Sequence, residues 1–221
     1  MTLKLNTTQE AYREFYGRNT EQMPKLIADG RVPMSVAGLM QRRLDVRNFD
    51  ADVKTSYLDN YFDTGDAVVY HPDGRVKIVL DSQTLRGITQ NSELINGALV
   101  LTEDAYNVLQ GEEFKKGKLG KANERLTREQ AKAHPVWKVL ARDQALLNDY
   151  VDYIFAEGKQ RFSYDTAMGV FSSSAQGNTP DLRAWCVGRL EDRSYAVGGY
   201  HLGYVGGRFL GIASKTFTLD I

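Results

Sequence analysis

The stretch "DRSYAVGGYHLGYVGGRFLGIAS", Asp192 to Ser214, decides how this chain is read. It holds three tyrosines, a histidine, a phenylalanine, two arginines and six glycines, but no Lys, Glu, Gln, Met or Trp. Those five types make up roughly a fifth of the whole chain, so about four would be expected in a window of this length. Rigid aromatic side chains give wide contact at low entropic cost, while glycine and serine let a backbone adapt. Lys and Glu are flexible, strongly hydrated and depleted at the centres of interfaces. The segment therefore has the composition of a binding surface. A glycine-rich meander with core tyrosines is the plainer reading, but it gives no reason for the missing residue types.

The rest of the chain sets bounds around this segment. It has 221 residues, 42% of them hydrophobic and 25% charged, with a formal net charge of zero. That length buries a core without staples, and a neutral chain is not expected to be a dedicated nucleic-acid binder. The basic run Lys115, Lys116, Lys118, Lys121 and Arg125 is diluted by Glu112, Glu113 and Glu124 and reads as a solvated face. A single cysteine, Cys186, permits no intrachain disulfide. No apolar leader segment opens the chain and no run reaches membrane-spanning length. A soluble protein without membrane insertion is expected, cytoplasmic or virion-associated.

Hydrophobic spacing predicts an α+β chain. Thr8 followed by "QEAYREFYGR" predicts an opening helix, and "SVAGLMQRRL" a second, with Val36, Leu39, Met40 and Leu44 on one stripe. "AVVYHPDGRVKIVL" reads as a β-hairpin turning at Pro72-Asp73-Gly74. "GALVL" predicts a strand, and Thr102 starts a helix over "EDAYNVLQG". The polar stretch Glu112 to Arg128 is the predicted boundary between residues 1–126, a helix-rich part with a small sheet, and residues 127–221. Beyond it, "TREQAKAH" predicts a helix ending near His134 because Pro135 follows. "RDQALLNDYVDYIFAEGK" predicts an amphipathic helix closed by Gly158. "AMGVFSSSAQGN", "LRAWCVGRL" and the tail "KTFTLD" predict short strands.

Catalytic patterns are missing. "YVGGRFLG" has neither the spacing nor the Lys-Ser/Thr end of a phosphate cradle, and no glycine fingerprint opens a helix. His71, His134 and His201 lie far apart, with no metal-ligand spacing. His134 is expected at a helix C-terminus, and Cys186 has no base beside it. Asp149 and Asp152 are expected on the outward face of their helix, and Leu190 to Ser194 in a turn. No catalytic residue, metal or cofactor is assigned. Two alternatives stay open. A hydrolase or nuclease would have to assemble two of His71, His134 and His201 with aspartates at one site. A viral structural or assembly protein would bury the opening stretch at a subunit contact.

The depletion has a second explanation. When the adenines of AAC codons are randomised and the last base is kept, Lys, Glu, Gln, Met and Trp are the types that cannot be reached. The region is C-terminal, and an amphipathic helix and "LRAWCVG" with Trp185 precede it. It ends in "GGRFLGIA", which looks like a divergent Gly-Phe-Arg closing strand. In these features it resembles the variable proteins of diversity-generating retroelements, in flavour the archaeal and viral members. The usual Gly-Gly-Ser-Trp and Gly-Phe-Arg motifs are not intact, and the chain runs on as "KTFTLDI". The resemblance covers roughly Thr127 to Ile221. It implies a C-type lectin-like C-terminal domain, with the helix-rich N-terminal part and its hairpin left unassigned. It further implies non-enzymatic binding of a macromolecular ligand, a protein or surface structure, through a variable region at about 186–209. The variable, ligand-contacting positions would be Cys186, Gly188, Arg189, Tyr195, Val197, Gly199, Tyr200, His201, Gly203, Tyr204, Val205 and Phe209. Trp185, Leu190, Leu202 and Leu210 would be scaffold.

Overall fold

Ser35, Asp50, Ser82, Thr102, Thr127 and Asp143 each accept a hydrogen bond from the backbone N–H three residues on, and each starts a helix. The structure is a computed structural model and describes residues 3–5, 11–115 and 117–213. The helices are α1 (Asn19–Ala28), α2 (Val36–Asp45), α3 (Ala51–Leu58), α4 (Gln83–Arg86), α5 (Glu103–Val108), α6 (Arg128–Ala133), α7 (Pro135–Ala141) and α8 (Gln144–Phe162). The strands are β1 (Tyr12–Tyr16), β2 (Arg31–Pro33), β3 (Phe62–Tyr70), β4 (Val76–Val79), β5 (Leu94–Ile95) and β6 (Ala98–Val100), then β7 (Glu112–Phe114), β8 (Asn123–Leu126), β9 (Met168–Phe171), β10 (Asp181–Val187), β11 (Tyr195–Val197) and β12 (Arg208–Ala213).

All of these strands join one sheet in the order β1-β12-β3-β10-β11-β9-β8; β4 and β7 extend from β3, β5 and β6 from β10, and β2 pairs with β12. Successive side chains of β3 serve opposite faces, as strand geometry requires. Val68 and Tyr70 pack in one apolar cluster with Met40, Trp137, Tyr150 and Trp185, against α2, α7 and α8. Ala67 and Val69 pack in the other with Met23, Leu26, Leu85 and Tyr106, against α1, α4 and α5. The sheet is thus covered by helices on both sides, and all nine residues of β3 are buried. The architecture is α+β, as the spacing predicts.

Four local expectations need comment. The segment read as an opening helix is strand β1 over Tyr12–Tyr16, while Thr8 lies outside the described residues. β1 pairs in register with β12, so Phe15 lies opposite Phe209 in the core. Tertiary pairing of this kind overrides a weak helical spacing. The long helix runs past Gly158 to Phe162 and ends on Ser163 in the left-handed conformation. A Cβ at Gly158 would come within 2.8 Å of Ala167 Cβ, so the glycine allows close packing rather than ending the helix. His134 closes α6 as expected, but its side chain also caps α7 by accepting from Val136 N. The strand read in "KTFTLD" lies outside the described residues.

The expected division at residue 126 does not separate two cores. β12 lies between β1 and β3, and β10 pairs with β3, so strands from either side of that position alternate in the sheet. β3 could not be buried by residues 1–126 alone, because its partners β10 and β12 come from the second half. The hairpin over 62–79 is therefore part of the shared sheet rather than of a separate lobe. Among the described residues, no helix is long and apolar enough to cross a membrane.

Candidate ligand-binding surface

Paired residues on neighbouring strands point to the same face. β8 pairs with β9, and β9 runs parallel to β11, so Arg125, Gly169 and Tyr195 form one rung, and Asn123, Phe171 and Val197 the next. Two glycines let these rings lie close to the backbone. A Cβ at Gly169 would fall 2.5 Å from Tyr195 Cζ, and one at Gly199 would fall 2.6 Å from Phe171 Cε1. Tyr200 closes one side, stacked on Tyr61 with ring centroids 6.3 Å apart. The result is an open concavity of about 530 Å³ with Tyr195, Val197 and Phe171 in its lining and Arg125, Arg189 and Arg193 around it.

The loop between β10 and β11 is held from beneath by Arg43 of α2. This side chain is 0% exposed. It donates to Tyr150 Oη at 2.7 Å and Ser194 Oγ at 2.9 Å, and to the carbonyls of Tyr57, Asn60 and Gly188. All five acceptors are neutral, so a buried guanidinium is stabilised by hydrogen bonds alone, and its satisfaction depends on the loop. Arg193 and Ser194 both have positive φ, 61° and 37°. Such non-glycine conformations persist only where surrounding contacts enforce them. The buried hydroxyl of Ser194 is held by Arg43 and Tyr150.

The structure separates the sequence-derived positions by depth. Arg189, Tyr200, His201, Tyr204 and Val205 are exposed; Tyr195, Val197, Gly199 and Gly203 are half-buried. Gly188, Arg189, Tyr195, Val197, Gly199 and Tyr200 line the concavity, and His201, Gly203, Tyr204 and Val205 lie on the loop that follows. Trp185, Leu190, Leu202 and Leu210 are all buried. Cys186 and Phe209 are not accessible, each being 0% exposed, and this corrects their assignment as ligand contacts. Strand alternation does put Cys186 on the rung of Val197 and Asp63. Tyr200 stands near that part of the rung: burial, then the nearness of Cys186 and Asp63, pushes its hydroxyl up to about 12. Phe209 pairs with Asp63 and Phe15 and fills the apolar cluster that holds Ala67 and Val69. Gly188 lines the concavity but is buried, and its carbonyl is held by Arg43.

Sequence reasoning missed Tyr61, Asn123, Arg125 and Phe171, which line the same concavity. They sit on or beside strands far from the opening segment, and only sheet pairing brings them to it. Arg125 had been visible only as part of a basic run.

Under the surface lies a buried carboxylate. Asp63 is 3% exposed and accepts from Arg208 N at 2.8 Å. Burial raises its pKa to about 6, against hydrogen bonds from Arg208 N, Asn19 and Cys186 that lower it. Burial, with the Asp63 carboxylate next, pushes the Cys186 thiol well above its ordinary value. A thiol held protonated in this way is a poor nucleophile.

The histidines have separate surroundings. His71 contacts Asp73 and Glu103 at the hairpin turn, His134 faces Glu124, and His201 packs over Gly97. Burial lowers the pKa of His134, opposed by Glu124. Among the described residues, no group of three or more His, Cys, Asp or Glu could hold a metal ion. Asp152 pairs with Arg128 and Lys132 at the surface, which holds its carboxyl below the usual range.

No protein-family model matches the sequence, and no curated protein matches it. The fold is similar to a solved structure described as the accommodation of massive sequence variation in Nanoarchaeota by the C-type lectin fold. The TM-score is 0.67 at 18% sequence identity, covering 95% of this chain and 100% of that one. A likeness at this identity speaks for architecture: this chain has the C-type lectin fold, and nearly all of it takes part.

Proposed function

We propose that this chain is a non-enzymatic ligand-binding protein, the variable protein of a diversity-generating retroelement, displaying diversified residues on a C-type lectin scaffold. One observation carries the reading. The segment depleted of Lys, Glu, Gln, Met and Trp supplies much of the lining of an open concavity, while Trp185, Leu190, Leu202 and Leu210, before and within it, are buried. A surface built this way changes its chemistry without changing its core. The C-type lectin fold is generally non-catalytic and presents such loops on a rigid sheet. The solved nanoarchaeal relative in structure accommodates massive sequence variation on that fold. The ligand is another macromolecule, since an open aromatic surface suits broad contact better than a closed pocket.

Two measurements test this. The nucleotide sequence around the gene should contain a near-copy of the segment with AAC codons at Tyr195, Val197, Tyr200, His201 and Tyr204, beside a reverse transcriptase. A library randomised at those five positions should fold in most members, as judged by protease resistance on a display platform. Absence of a template, together with collapse of most library members, would overturn the reading.

A further inference from the structure

The three arginines around the concavity differ in their partners. Arg189 is neutralised by Asp192 at 2.6 Å and Glu191 at 3.6 Å. Arg125 and Arg193 have no carboxylate partner among the described residues. The Arg193 guanidinium lies 4.2 Å over the ring of Tyr164, whose hydroxyl donates to the Glu191 carbonyl. Stacking of this kind orients the cation and leaves the edge of its fork for an acceptor. Its Nε is buried and has no hydrogen-bond partner among the described residues. Arg125 shares its rung with Tyr195, so a cation and an aromatic ring stand side by side on one face of the sheet. Two guanidinium groups without a carboxylate partner among the described residues and an apolar lining therefore meet in one concavity.

We propose that this concavity takes an acidic polypeptide segment, in which a carboxylate engages Arg125 and Arg193 and a neighbouring apolar side chain lies on Tyr195 and Phe171. The inference rests on the ligand-binding reading above and names its chemistry. A nucleic acid fits less well. Its binding would call for an extended basic track, whereas the chain has no net charge and Asp192 stands at the same rim. Arg125 and Arg193 are outside the positions assigned to variation, so the anion contact would be shared by sequence variants whose apolar wall differs.

The test is a random heptapeptide library panned on the full chain, with binders measured by fluorescence anisotropy. Peptides acting at this site are those that lose binding to Tyr195→Ser. They are expected to be enriched in Asp or Glu beside an aromatic or aliphatic residue, and to bind R125Q/R193Q at least tenfold more weakly. If the double variant melts much earlier than the parent, Arg125→Gln alone, at an exposed position, should still weaken binding several-fold. Site-binding peptides without acidic bias, or indifferent to both arginine variants, would overturn the charge assignment and leave the ligand-binding reading intact. A library yielding no binder at the concavity would overturn both. A single-stranded oligonucleotide binding more tightly than every peptide would overturn the proposal in favour of a polyanion.

Discussion

The loop between β10 and β11 has two sides, each with an arginine, and they behave in opposite ways. Arg43 lies beneath it, fully buried, with every contact made to a neutral acceptor of the protein. Arg193 lies on it, beside the concavity, with a buried Nε that has no hydrogen-bond partner among the described residues. The same guanidinium chemistry is spent on internal hydrogen bonds below and on stacking against Tyr164 above. The contrast extends to whole segments. All seven residues of β10 are buried, whereas the stretch that follows alternates buried Leu190, Ala196 and Leu202 with accessible Arg189, Tyr195, Tyr200 and Tyr204.

The sharpest way to break this contrast is to remove the lower arginine. Arg43→Met leaves five acceptors without their donor, including the Tyr150 and Ser194 hydroxyls. A loss of about 3–5 kcal/mol is expected, read as a drop of roughly 10 °C in Tm. A drop of only a degree or two would mean that the loop does not depend on its anchor.

A second measurement concerns the carboxylate beneath the site. The folded-state pKa of Asp63 is about 6, above the ordinary carboxylate value. Between roughly pH 4 and pH 6 the folded chain therefore holds a proton that the unfolded chain has released, so this group's stabilisation is present at low pH and fades as pH rises through about 6. Asp66 and Asp181, also raised by burial, act in the same direction. The difference between wild type and Asp63→Asn isolates this one group: the variant should gain about 2–3 kcal/mol on the parent between pH 4 and pH 7. A pH-independent difference in denaturant midpoints would contradict the assignment.

Glycines sharpen the comparison further. A Cβ at Gly198 would meet Tyr70 Oη at 2.5 Å and Val68 Cγ1 at 3.1 Å, but one at Gly203 would meet only Leu94 Cδ1 at 3.5 Å. Gly198→Ala should cost about 1–3 kcal/mol by overpacking, and Gly203→Ala no more than about 0.5 kcal/mol. Equal costs in chemical denaturation would erase the division between frame and display at neighbouring positions. The smallest effect is expected at the rim. Tyr204→Asn with Val205→Asn, at sites 53% and 60% exposed, should shift stability by no more than about 0.5 kcal/mol.

The same division explains what could be read beforehand. The stripe of Val36, Leu39, Met40 and Leu44 and that of Leu147, Tyr150, Val151 and Ile154 announce α2 and α8, because 3.6-residue spacing is local information. Pro72-Asp73-Gly74 gives away its hairpin for the same reason. β1 was not legible, since "YREFY" suits helix or strand and its partner β12 lies at the far end of the chain. The start of β3 was equally hidden. The alternating run begins at Ala67, yet β3 already starts at Phe62, where Asp63 receives Arg208 N and Asp66 receives the N–H groups of Val36 and Asp81. Alternation indicated a face for Cys186 but not its depth, because burial depends on segments distant in sequence, such as the loop that brings Tyr200 near it. Tyr61, Arg125 and Phe171 join the surface only through pairings that no local pattern encodes.

The seat of β12 between β1 and β3 has a consequence for synthesis. Translation delivers β1 and β3 early and their common neighbour late, across a separation of 145 residues at the Asp63–Arg208 contact. Until β12 arrives, both early strands present open hydrogen-bonding edges to solvent. The loops that line the concavity emerge just before that closing strand. A loop that misdirects β12 therefore leaves an unsealed nascent chain, open to proteases and chaperones, instead of a finished protein with a faulty surface.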